Sequence, residues 1–91
     1  MKFKITEEMY QGIDTITNRY NFHTLAEKAK EELEELKEAI ESNNDMAIVD
    51  EVADVIIVSL EQIAKRGIDI DVMERITYKI QRQIGRMKAG L

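Results

Sequence analysis

The 91-residue chain contains no proline and no cysteine, and its one histidine is His23. With no proline to break a helix and little β-branched alternation, the hydrophobic periodicity reads as helical throughout. The lack of cysteine excludes disulfides and thiolate metal sites, and fits a reducing compartment. A single histidine excludes the paired ExxH motifs of ferritin-like di-iron bundles. No apolar run approaches the ~20 residues of a membrane span, and the opening "MKFKITEEMY" lacks the apolar core of a secretory signal. A soluble, cytoplasmic protein is expected. Surplus positive charge is also missing. The net charge is −5, which argues against nucleic acid or an anionic membrane as partner.

Apolar residues make up 44% of the chain and charged ones 34%, the balance of a folded domain with solvated outer faces. The length suits a single domain over residues 1–91, with a core small for its task. Charge is divided along it. Residues 31–61 carry eleven Asp or Glu against Lys37 alone, whereas residues 70–91 carry Arg75, Lys79, Arg82, Arg86 and Lys88 against Asp71 and Glu74. Such a division suits either a polar site that uses both signs or helix faces that simply differ.

Four helices are expected. The first follows Thr6 as N-cap, with Glu7 and Glu8 favourably placed in its first turn and Met9, Ile13 and Ile16 as an apolar stripe. "TLAE", with Thr24 three residues before Glu27, is a capping-box pattern that opens the second, which runs to about Ser42. "SNND" supplies a turn and a new N-cap. The third helix continues to "KRG", where Gly67 suits a left-handed C-cap, and the fourth starts near Asp69 or Asp71. Short connections make the second and third helices an antiparallel hairpin.

On the second helix, Leu25, Ala29, Leu33, Leu36 and Ile40 are expected on one face, with Glu32 inside that sector and Glu35 at its flank. Glu27, Glu31, Glu34, Glu38 and Glu41 point to solvent. The third is apolar nearly all round and is expected to be buried, with Glu51 and Asp54 in its narrow polar strip. Residues three apart on a helix are neighbours, so Glu32 with Glu35, and Glu51 with Asp54, form two carboxylate pairs facing across the hairpin. Such a cluster must bind protons or cations. Oxygen ligands without histidine or cysteine select magnesium, manganese or calcium, and magnesium commonly takes further ligands from phosphates.

"EELEE" at 31–35, "EVAD" at 51–54 within an apolar helix, and then "KRGID" resemble the EExxE…ExxD pattern of the MazG-like, all-α nucleoside triphosphate pyrophosphohydrolases. The resemblance covers roughly residues 20–88. It implies a four-helix MazG-like bundle built around the hairpin. It also implies hydrolysis between the α and β phosphates, giving a nucleoside monophosphate and pyrophosphate, as in clearing of the nucleotide pool. By motif position Glu32, Glu35, Glu51 and Asp54 would hold Mg2+, with Mn2+ as substitute. The candidate catalytic residues are Glu31, Glu35 and Glu51; Glu31 points outward and would orient a neighbour or act as base toward water.

Arg75, Lys79, Arg82 and Arg86 form one stripe on the last helix, opposite Ile76, Ile80, Ile84 and Met87. It is either a solvated face or a phosphate contact, and the resemblance favours Lys79 and Arg82 for the latter. His23 reads as structural or exposed. Tyr10, Tyr20, Phe22 and Tyr78 read as core or interface residues, and one of the first three could also stack on a base. Four helices in one chain cannot cover the third, so a homodimer or homotetramer is expected. Two alternatives stay open: phosphoribosyl-ATP pyrophosphohydrolase, similar in fold and acidic helices, and a non-catalytic acidic helical module.

Overall fold

The computed structural model describes residues 1–90. Four α-helices follow one another: α1 Glu7–Arg19, α2 Phe22–Ser42, α3 Asp45–Arg66 and α4 Asp69–Lys88. There are no strands among the described residues. The Thr6 hydroxyl accepts from the Met9 amide at 3.2 Å and starts α1, as its position in the sequence predicts. Asn44 starts α3, its side-chain oxygen accepting from the Met46 and Ala47 amides at 3.0 and 3.2 Å. Gly67 ends α3 at φ +65°, its N–H donating to the Ile63 carbonyl. α4 begins at Asp69 and lacks a side-chain cap.

The capping-box expectation for α2 is corrected. Helix α2 begins at Phe22, and the Asn21 side chain caps it by accepting from the Thr24 amide at 2.9 Å. Thr24 therefore lies inside the first turn. Asparagine is at least as good a cap as threonine, and Asn21 stands one turn earlier.

The main packing is α2 on α3, followed by α1 on α3. The hairpin is antiparallel: Glu32 and Glu35 meet Glu51 and Asp54, and nearer the open end Leu25 and Lys28 lie beside Glu61. α1 lies over the C-terminal half of α3, where the Lys65 ammonium donates to the Thr17 carbonyl at 2.7 Å. The apolar residues buried within one chain are Ile13, Leu25, Ala39 and Val58.

Two expectations about faces change. The side of α2 turned to α3 carries buried Leu25, Glu32 and Ala39, with Leu36 half-buried, while Leu33 and Ile40 are more than half exposed. Helix α3 is not buried all round, since Val49, Val52 and Ile57 are exposed. α4 leans lightly on α3 and buries none of its residues. Tyr10, Tyr20, Phe22 and Tyr78 also stay out of the core. Phe22 instead lies under Lys65 and Arg66, and Tyr78 under Arg75 and Arg82.

Candidate functional site

Helix geometry assembles the acidic site. Glu32 and Glu35 are one turn apart on α2, as are Glu51 and Asp54 on α3, and the antiparallel hairpin places one pair against the other. An oxygen from each of the four carboxylates lies within 4.8 Å of the others. Glu32 is buried and the other three are half-buried. The buried Oε2 atoms of Glu32 and Glu51 have no hydrogen-bond partner.

The electrostatics follow from this crowding. Burial, then the negative charges of Asp54, Glu35 and Glu51, push the Glu32 carboxyl up to about 7. Burial raises Glu51 as well, followed by Glu35 and Asp54. No lysine or arginine acts on either group, and the one ion pair among the described residues, Lys30–Glu27, lies elsewhere on the surface. Like charges at this spacing cannot all ionise unless a cation joins them. The donor set is all oxygen, several-fold negative and short of hydrogen bonds, and so fits a hard divalent cation.

The remaining candidates lie apart from the four. Glu31 is exposed at the rim of an open hollow that also includes Glu32, Thr24 and Lys28. Lys79 and Arg82 are exposed on α4, a helix with no substantial interface to α2. The Arg82 guanidinium rests over Tyr78 of its own helix, 5.8 Å from the ring centre. Within one chain neither basic residue pairs with a cluster carboxylate. His23 is exposed in the first turn of α2.

Two residues of this region escaped the reading of the sequence. Lys28, on the first half of α2, lines both the hollow beside Glu32 and a second cavity further along the hairpin. Glu61 lies in that second cavity, only 1% exposed, with neither carboxyl oxygen hydrogen-bonded. Its signal was the spacing. Glu61 follows Asp54 by seven residues, two turns on the same face, just as Leu25 precedes Glu32.

No curated protein and no solved structure matches the chain. The model of one family, described as phosphoribosyl-ATP pyrophosphohydrolase, matches residues 5–81, which contain both carboxylate pairs. The chain belongs to that family and, through it, to the all-α MazG-like nucleoside triphosphate pyrophosphohydrolase superfamily.

Proposed function

We propose that this protein is a magnesium-dependent pyrophosphohydrolase of nucleoside triphosphates, cleaving between the α and β phosphates to release a monophosphate and pyrophosphate. One observation carries the reading: four carboxylate oxygens from two helices within 4.8 Å, with no protein cation near them. Membership of a family of pyrophosphohydrolases supports the reaction class.

Glu32, Glu35, Glu51 and Asp54 would hold the metal, Mg2+ or its substitute Mn2+. When bound, the ion supplies positive charge to the phosphates and lowers the pKa of a coordinated water. The chain's own residues supply the rest. Glu35 and Glu51, half-buried and close together, are positioned to take the proton of an attacking water. Glu31, at the open rim, orients that water or a neighbouring acid. Lys28 lines the hollow that includes Glu32, beside the path a bound nucleotide would take. Lys79 and Arg82, on a helix with no substantial interface to α2, would reach phosphates from another copy of the chain, so this reading includes a homo-oligomer whose α4 helices face neighbouring sites.

The family's own description favours a second substrate, phosphoribosyl-ATP. Both reactions release pyrophosphate. The deciding experiment supplies magnesium with canonical and damaged nucleoside triphosphates, and separately with phosphoribosyl-ATP, and measures pyrophosphate. Turnover confined to phosphoribosyl-ATP selects the second reading. Absence of pyrophosphate from every substrate leaves an acidic helical module without this activity.

A further inference from the structure

Glu61 is a carboxyl group enclosed by α1 and α2 and given no partner by either. It is 1% exposed, both of its oxygens lack hydrogen bonds, and it makes no ion pair with Lys28, which lines the same cavity. Removing hydrogen-bonding capacity from water without replacement is unfavourable, and a Leu here would fit the surrounding Ile16 and Leu25 without that cost. A carboxyl group has more acceptor sites than donors in either protonation state. The unmet need is for N–H or O–H donors.

A cavity borders this residue, and a neighbouring hollow borders Glu32 of the carboxylate cluster. The cavity's volume is about 230 Å³, and it is lined by Ile16, Tyr20, Thr24, Leu25, Lys28 and Glu61. Thr24 and Lys28 also line the hollow that includes Glu32, so the two spaces share these two residues as a border. Glu61 lies two turns beyond Asp54, about 10 Å along α3. A nucleotide with its phosphates at the carboxylates would pass its sugar along Thr24 and Lys28 and bring its base to Glu61. Two aliphatic side chains and a tyrosine ring provide apolar walls for a flat heterocycle, with one polar group to set its orientation.

We propose that this cavity is the subsite for the substrate's nucleobase and that Glu61 accepts a hydrogen bond from an exocyclic amino group on that base. The assignment rests on the pyrophosphohydrolase reading above and deepens it by naming a specificity-determining residue. Adenine, cytosine and guanine carry such an amino group, whereas uracil and thymine do not. Burial raises the Glu61 carboxyl above its ordinary range, against a smaller opposing effect of Lys28; a neutral carboxyl still accepts from an amino group and can donate to the adjoining ring nitrogen.

The test compares ATP with purine riboside triphosphate, which is ATP without its amino group, in the wild type and in Glu61→Leu. Two quantities are measured: kcat/KM for pyrophosphate release, and calorimetric affinity for the α,β-methylene analogue of each nucleotide. Wild type should favour the amino-bearing nucleotide by roughly 5- to 100-fold in both quantities, the range expected when a buried acceptor is left unsatisfied. Glu61→Leu should bring the ratio close to one. Circular dichroism melting verifies that the variant folds, and Glu61→Gln, which keeps a carbonyl acceptor, should retain the preference. A wild type indifferent to the amino group overturns the assignment, as does a preference that survives in Glu61→Leu, while pyrophosphate release in either case leaves the function standing. Failure to hydrolyse any nucleotide removes the pyrophosphohydrolase reading, and the binding ratio then decides the base subsite by itself.

Discussion

A carboxylate that loses water without gaining a donor must be neutralised by a proton or by a cation, and Glu32 and Glu51 each bury an oxygen that has no donor. Magnesium should therefore raise the melting temperature of the wild type by mass action on the folded form. Asp54→Asn should lose most of that increment, whereas Glu38→Gln, on the exposed side of α2, should keep it; thermal melts with and without the ion compare them. Glu51→Gln should retain its helices and lose activity by about two orders of magnitude or more, as measured by pyrophosphate release at saturating magnesium. Glu61 gives a separate handle on pH. Its folded-state pKa is raised from 4.5, so the native protein holds a proton that the unfolded chain gives up. That stabilisation is complete below about 4.5 and is lost as pH rises through the folded value. Lys28 of α2 and Tyr20 at the end of α1 are the titratable groups facing Glu61 across its cavity. The melting temperatures of wild type and Glu61→Gln should move apart in favour of the variant as pH rises from 4.5 to 8. A constant gap would show that Glu61 ionises alike in both states.

Among the elements, the caps fix where the helices begin and end. Asn21→Ala removes the acceptor for the Thr24 amide and should cost about 1 kcal/mol, read from denaturant melts. Gly67→Ala should cost a similar ~1–2 kcal/mol. The Gly67 position has open space around an added Cβ but a φ of +65°, so the penalty is one of backbone conformation. These elements also show what the sequence reveals. Thr6, the Asn43–Asn44 turn and Gly67 were legible because each offers one strong local solution. The start of α2 was not, because Asn21 and Thr24 are both competent caps one turn apart, and Phe22 between them gains a place under Lys65 and Arg66 only in the folded chain. The acidic pairs were legible because i, i+3 spacing on a helix leaves no freedom. Glu61 was not, since its burial depends on α1, which reaches it only through tertiary packing.

At the scale of the whole molecule, α4 has little of the chain packed against it. Ile76, Ile80, Ile84 and Met87 are exposed, as are Val49, Val52 and Ile57 on α3, although a small domain has little apolar surface to forgo. A second copy that covers these strips would also bring its Lys79 and Arg82 within reach of a neighbouring carboxylate cluster, since these two cations lie on a different helix from the four carboxylates and pair with none of them within one chain. Lys79→Ala with Arg82→Ala should then weaken triphosphate binding by roughly 1.5–3 kcal/mol per lost charge-assisted bond, with less loss for the monophosphate. Complementation separates this arrangement from a merely solvated stripe. Glu51→Gln should be inactive through its carboxylates, and the double α4 variant impaired through its cations. If sites are shared between copies, dissociating and reassociating a mixture of the two creates mixed oligomers in which some sites have intact carboxylates from one parent and intact basic side chains from the other. Activity should rise above the sum of the two separate variants, and Ile80→Glu in both parents should abolish that rise by disrupting the α4 contact. Sedimentation velocity reports whether Ile80→Glu has dissociated the assembly. A mixture that forms mixed oligomers yet gains no activity would show that the cations and carboxylates serving a site come from the same copy.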